Sequence, residues 1–287
     1  MTAIPNPPAT GSACAPDDRN ATAAIPVLRI GPAEVHVLTE ASCVDAIVSA
    51  LDAGRGGVVV THNLDHVRRL DRDPAFRDLC AIADLRTADG MPLVWASRLM
   101  GRPLPERVAG SDLVWSLSRA VARRGGSVFL LGGDPGTADA AARRLAEDLP
   151  GLRVCGTLCP EPGFEDRPEE MAAMRRLVRE ARPDVVYVAL GSPKQERLIA
   201  AIRGETPGAW WLGVGISFSF VCGEVSRAPA WMRRTGLEWA HRLAQEPRRL
   251  ARRYLVDGPP FALRLLASSA LERWRTRPVD SATPRPG

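Results

Sequence analysis

Four apolar runs, each cut short by glycine or a polar group, constrain this chain more than anything else in it. They are GGVVVTHN (56–63), SVFLLGG (127–133), DVVYVALG (184–191) and AWWLGVG (209–215). Runs of this kind, bounded by turn signals, read as buried strands. Between them lie segments with apolar residues at helical spacing, among them EASCVDAIVSALDAG, SDLVWSLSRAVARRGG, TADAAARRLAEDL and RPEEMAAMRRLVREARP. Two shorter strand-like runs, AIADLRTADG and LRVCGTL, fit the same alternation, and VLRIGPAEVHVLT reads as a small hairpin ahead of it. Strand and helix alternating through short loops imply a parallel sheet with helices on both faces.

The expected fold is thus α/β, a Rossmann-like parallel sheet over residues 26–223, followed by a small basic helical appendage over 224–277. In such sheets ligands sit outside the carboxyl ends of the strands. The residues to weigh are those where strands stop: Thr61 and Asn63, Asp89-Gly90, Gly132-Gly133, Gly191-Ser192 with Lys194-Gln195-Glu196, and Gly213–Gly215. Asp89 has the makings of a general base, a rim carboxylate that takes a proton from an acceptor hydroxyl. It also fits a turn or helix-cap aspartate, and spacing alone favours the turn. Arg107, in PERVAGSDL, stands just before a glycine and a helix start, with Ser111 or Asp112 as cap. An arginine there suits a phosphate, though an ordinary surface arginine fits equally.

Gly132-Gly133 suits nucleotide phosphate or ribose, but GGDPG is not the full dinucleotide fingerprint. Gln195 can donate to and accept from sugar hydroxyls, while Glu196 suits the first turn of a helix through the dipole. Asp71-Arg72-Asp73 has the D-x-D form, yet it lies in an arginine-studded polar segment and reads as solvated charge. No His, Asp or Glu cluster has ligand spacing, and Cys155-x3-Cys159 has no second pair nearby, so neither a metal nor a cofactor is expected. Arginines must then neutralise any leaving anion. The six scattered cysteines read as reduced thiols.

Charge is distributed unevenly. The net charge is +5, yet residues 224–277 hold twelve arginines against five acidic residues, so everything else sums to about −2. Trp231, Trp239 and Trp274 share that segment, and tryptophan with arginine favours an anionic membrane interface. Nucleic acid is the competing anion, but no helix-turn-helix or RNA-binding motif is present. Pro247 can open a helix and Gly258-Pro259-Pro260 should interrupt one. In the last helix Leu263, Leu266, Ala270 and Trp274 fall on one face. Residues 1–25 and 278–287 read as a disordered lead-in and tail, and the lead-in lacks the pattern of a signal peptide. The uncharged run 206–223 reads as a buried strand, a glycine turn and a second buried piece rather than a membrane span.

The motifs THN, ADG, PERVAGSDL, LGSPKQE, GVGISFSFVCG…RAP and GLEWAHRLAQEPRRLARRYL occur in that order. Together, over about residues 27–257, they make the chain resemble the WecG/TagA/CpsF family, glycosyltransferase family 26. The resemblance implies an inverting, metal-independent transfer of a sugar from a UDP-sugar to a polyprenyl-diphosphate-linked saccharide. It implies a peripheral protein at the cytoplasmic face of the plasma membrane, working in cell-surface polysaccharide or exopolysaccharide biosynthesis. It implies Asp89 as the base, with Thr61, Asn63, Arg107 and Gln195 beside it; His62 stands where many relatives carry proline. It also implies that Arg242, Arg249 and Arg252 of the appendage reach the diphosphate. Gly191, Ser192, Lys194 and Gln195 then form a rim loop that holds substrate, and the role of Lys194, the only lysine, is left open.

The partners expected are the UDP-sugar donor, the lipid-linked acceptor and an anionic membrane surface, without nucleic acid; a homo-oligomer is left open. The donor alternatives are UDP-N-acetylmannosamine, its uronic acid and UDP-glucose. Two rival classes stand beside this reading. An NAD-type oxidoreductase rests on Gly132-Gly133 but lacks an acidic ribose ligand at the usual offset. A basic nucleic-acid-binding module rests on the arginine-rich tail.

Overall fold

The computed structural model describes residues 25–276. Residues 1–24 of the expected lead-in and the whole expected tail, 278–287, lie outside the described residues. An antiparallel hairpin of β1 (Val27–Ile30) and β2 (Ala33–His36) precedes the main sheet. Six parallel strands follow: β3 (Gly57–His62), β4 (Leu85–Ala88), β5 (Ser127–Gly132), β6 (Arg153–Leu158), β7 (Val185–Ala189) and β8 (Trp210–Gly213). They lie in the order β4-β3-β8-β7-β5-β6. The chain steps from β3 out to β4, then crosses to β5 on the far side. The rim near β3, β4 and β8 is therefore flanked by connections that leave in opposite directions.

The helices between them are α1 (Glu40–Asp52), α2 (Leu64–Arg72), α3 (Pro74–Ala81), α4 (Met91–Leu99), α5 (Gly110–Arg123), α6 (Thr137–Asp148), α7 (Pro168–Ala181), α8 (Lys194–Ile202) and α9 (Ser217–Cys222). Successive strand residues point to opposite faces, and here both faces are covered. Val58, Val60, Phe129, Leu131, Val186 and Trp211 pack into one core with α2, α3, α4, α7 and α8. Val59, Val128, Leu130, Tyr187, Trp210 and Leu212 pack into the other with α1, α5, α6 and α9. Burial on both faces is why these strands are apolar runs without alternation.

Two helices were not anticipated. Asn63 caps α2, and Asp73 caps α3, its Oδ1 accepting from the Phe76 N–H at 3.2 Å. The D-x-D segment is thus helical: Asp73 is a cap and Asp71 pairs with Arg264. Helix α5 starts at Gly110, so Ala109, which has no polar side chain, is its N-cap; Ser111 and Asp112, expected as caps, lie inside the first turn, where the Asp112 carboxylate pairs with arginines. The run 206–223 is β8, a glycine loop and α9, as expected, and among the described residues no helix is long and apolar enough to cross a membrane.

The appendage comprises α10 (Ala230–Thr235), α11 (Glu238–Gln245), α12 (Pro247–Ala251), a π-helical turn (Arg252–Asp257) and α13 (Gly258–Thr276). Gly258-Pro259-Pro260 does not break the helical path. The wide π turn, with the Gly258 N–H donating to the Arg253 carbonyl, precedes the prolines. It makes room for rings that would clash with carbonyls one tight turn back. The buried face of α13 is Phe261, Leu265 and Ser269 at i,i+4 spacing, sealed against α4 and the first core. Of the apolar face read from sequence, Leu263 and Trp274 are exposed, as is Leu271.

Candidate active site

Four strand ends and the appendage enclose a cleft of about 560 Å³. Its sheet-side wall includes Thr61, Asn63, Asp89, Gly90, Arg107, Gly191, Ser192, Gln195 and Gly213–Gly215; Arg233, Glu238, Arg242, Arg249 and Arg253 close it from the appendage. Six arginines and three carboxylates line it (Arg68, Arg107, Arg233, Arg242, Arg249, Arg253; Asp65, Asp89, Glu238). The excess of three positive charges suits an anion such as a diphosphate.

Local structure fixes each group. The Asp89 N–H donates to the His62 carbonyl at 2.7 Å, which ties the end of β4 to β3. Gly90 then turns with φ 151°, a conformation that residues bearing a side chain rarely adopt, so α4 starts at once and Asp89 stays on the rim. The loop before α5 is stitched to β4 by the Val108 N–H on the Ala88 carbonyl and by Thr87 Oγ1 on the Val108 carbonyl, both at 2.9 Å. That holds Arg107 beside Asp89. Its Nη1 donates to Asp89 Oδ1 at 3.3 Å and to Glu238 Oε2 at 3.2 Å, and its Nη2 to Asp112 Oδ2 at 3.0 Å.

The Asp89 side chain keeps 27% of its surface open to the cleft, but protein crowds it on every other side. That burial pushes its pKa up to about 6, opposed by Arg107 and reinforced by Glu238 and Asp112. A carboxylate with this proton affinity is ionised at neutral pH yet ready to accept a proton. His62 behind it stays neutral, its pKa held down to about 3 by burial, His66 and Arg86.

Thr61 is buried at the cleft wall. Asn63 Oδ1 accepts from the Asp65 and His66 N–H groups at 3.0 and 3.1 Å, so its carbonyl is spent on capping α2. Gln195 is also turned inward. Its Oε1 accepts from the Gly215 N–H at 3.0 Å and its Nε2 donates to Glu196 Oε1 at 2.9 Å. The amide therefore pins the Gly213–Gly215 loop from below. Glu196, expected only to favour the helix dipole, is buried beneath the cleft, 3.9 Å from His66 Nε2. Ser192 Oγ and Arg242 Nε are buried without a hydrogen-bond partner in the walls of the cleft.

Four residues weighed from sequence stand away from it. Gly132 and Gly133 do not line the cleft; a Cβ on Gly132, at φ 97°, would lie 2.8 Å from the Ala189 carbonyl oxygen, so this glycine is required by the approach of β7. The Lys194 side chain is half exposed and bonds Glu165 at 2.8 Å. Arg252 is 87% exposed and faces Asp257 at 3.7 Å. The neighbour Arg253 enters the cleft instead, its Nη2 3.4 Å from Asn63 Oδ1. Arg249 and Arg253 are four apart, and that spacing was the available signal. Glu238 had no signal beyond its place in GLEWAHR. Among the described residues no three His, Cys, Asp or Glu side chains group as a metal site.

A positively charged cleft at the carboxyl edge of a doubly covered parallel sheet suits a transferase working on phosphate-bearing substrates. The chain belongs to the glycosyl transferase WecG/TagA/CpsF family, whose profile matches residues 28–276. It is 33% identical over 202 residues to the N-acetylglucosaminyldiphosphoundecaprenol N-acetyl-beta-D-mannosaminyltransferase of Bacillus spizizenii (strain W23), spanning 70% of this chain and 76% of the relative. To the protein of the same description from Bacillus subtilis (strain 168) it is 30% identical over 216 residues, 75% and 81% of the two chains. The protein is a glycosyltransferase, which sets aside the oxidoreductase and nucleic-acid-binding alternatives.

Proposed function

We propose that this glycosyltransferase moves N-acetylmannosamine from its UDP-sugar to a polyprenyl-diphosphate-linked N-acetylglucosamine, with inversion, at the inner surface of the plasma membrane. The observation that carries the reading is a single one: the Asp89 carboxylate opens into a cleft whose arginines come from both the sheet rim and the appendage. The two Bacillus relatives, described as N-acetylmannosaminyltransferases acting on N-acetylglucosaminyldiphosphoundecaprenol, support the choice of sugar and acceptor.

In this mechanism Asp89 takes the proton of the acceptor hydroxyl. The freed oxygen lone pair forms the new bond to the anomeric carbon from the side opposite UDP. The bond from that carbon to the donor diphosphate breaks, and its electron pair leaves with UDP. Arg242, Arg249 and Arg253 stabilise the charge that develops there, as fixed cations do without a metal. Thr61 and the Gly213–Gly215 loop, braced by Gln195, shape the wall against which the sugars lie. The exposed Leu263, Leu271 and Trp274 of α13, flanked by arginines, meet the anionic membrane in which the acceptor is anchored.

The test is a panel of UDP-N-acetylmannosamine, its uronic acid and UDP-glucose with a polyprenyl-diphosphate N-acetylglucosamine acceptor, in EDTA. Product from the first donor alone, at an undiminished rate and with inverted anomeric configuration, is expected. Product from none of them, or loss of activity in EDTA, refutes the proposal.

A further inference from the structure

We infer that Glu238, carried by the appendage helix α11, is a positioning residue that sets how strongly Asp89 holds a proton, so that the base reaches full strength only with the appendage seated on the sheet rim. The inference rests on the reading of Asp89 as the base.

The geometry is a shared cation. One nitrogen of Arg107, Nη1, serves both Asp89 Oδ1 at 3.3 Å and Glu238 Oε2 at 3.2 Å. A donor split between two carboxylates neutralises neither as fully as it would one. The Glu238 oxygen also lies no farther from Asp89 than those two contacts laid end to end, and a like charge at that range favours the protonated form of its neighbour. Glu238, Arg107 and Asp112 keep only 20%, 13% and 19% of their side-chain surface exposed, so solvent screens this cluster weakly.

The charged groups facing Asp89 among the described residues pull in both directions: Glu238 and Asp112 raise its proton affinity, Arg107 and Arg242 lower it. Arg107 comes from the loop before α5, Asp112 from α5, and Glu238 and Arg242 from α11. Asp112 is held in turn by two appendage arginines, Arg227 at 2.8 Å and Arg233 at 3.2 Å. Docking therefore brings arginines to Asp112 and a carboxylate to Arg107. Burial is the largest cause of the raised proton affinity of Asp89 and Arg107 opposes it; of the two α11 groups, Glu238 adds to it and outweighs Arg242, which opposes it. Remove Glu238, and Arg107 Nη1 is left to Asp89 alone. Both consequences, the lost repulsion and the undivided cation, lower the proton affinity of Asp89.

The experiment is the pH dependence of kcat/KM in the full-length protein, for the native sequence and for Glu238→Gln, Glu238→Asp and Asp89→Asn. Even with water-like screening, Glu238→Gln should move the acidic limb down by about half a pH unit or more, and a weaker base should lower the plateau by roughly threefold. Glu238→Asp, which keeps the charge, should leave the limb closer to its native position. A purely structural glutamate would lower the plateau without moving the limb, and that result, or a limb that moves upward, overturns the inference. If Glu238→Gln fails to fold by circular dichroism, Glu238→Ala decides by the same rule: a limb moved down supports the assignment, and a limb left in place or moved up overturns it. If Asp89→Asn retains full activity, the reading of Asp89 as base falls and takes this inference with it. If Asp89→Asn is inactive while Glu238→Gln leaves the limb in place, the inference alone falls.

Discussion

Replacing Asp89 with Asn should inactivate the enzyme and at the same time make it more stable at neutral pH. Asparagine has nearly the same shape and its carbonyl can still accept from Arg107, while Arg107 keeps Asp112 and Glu238. What changes is the charge. The Asp89 pKa is about 6 in the folded protein, raised first by burial, against a value of 3.8 for the free side chain. The folded state therefore holds the proton more tightly than the unfolded chain. The stability this gives is fully present below about pH 4 and is lost as pH rises through about 6. At pH 7.5 the ionised carboxylate costs the fold about 3 kcal/mol, two pKa units and a fraction at ~1.4 kcal/mol each. Asparagine mimics the protonated form at every pH, so it recovers that amount at pH 7.5 and only about half of it at pH 5, where the native protein is already mostly protonated. Urea unfolding of both proteins at the two pH values measures the difference, and comparing pH values cancels any general effect of the substitution. A variant whose stability relative to the native protein does not rise from pH 5 to pH 7.5 would refute the claim that Asp89 is held ionised against its surroundings.

The appendage gives two further expectations. Arg253→Ala should lower kcat/KM by about tenfold or more, since Arg253 faces the cleft, whereas Arg252→Ala should stay within about twofold; the reverse order would contradict the phase of the π turn. Replacing Leu271 and Trp274 together with Ser should change stability by less than about 0.5 kcal/mol per site, because both are exposed. It should also release the protein from anionic vesicles in a flotation assay, and unchanged flotation would remove α13 from the membrane surface.

The sheet was legible because its strands are buried twice over. A run such as Val185–Ala189 has no solvent face, so its order of residues carries the strand signal without help from neighbours. Its end was legible too, because a chain leaving a core must meet turn residues. Helices α2 and α3 were harder. Leu64–Arg72 shows only a narrow apolar stripe, Val67 and Leu70, among charges, and the caps Asn63 and Asp73 were the better signal. The apolar face read from the α13 sequence, Leu263, Leu266, Ala270 and Trp274, is not the face that packs on the core, which is Phe261, Leu265 and Ser269. Spacing within the helix offers both stripes, and packing against α4 decides which one is buried.

By itself the sequence determined the α/β class, the strand ends that form the rim, and the concentration of arginine in the last quarter of the chain. These follow from local pattern: burial on both faces, glycine at turns, and composition. Which arginine enters the cleft, why Gln195 looks inward, and that Glu238 shares a nitrogen with Asp89 were decided only by the tertiary structure. Asp89 and Glu238 are 149 positions apart, and no local rule connects them. The charge state of a buried group depends on everything packed around it, and the groups packed around Asp89 come from both the sheet rim and the appendage.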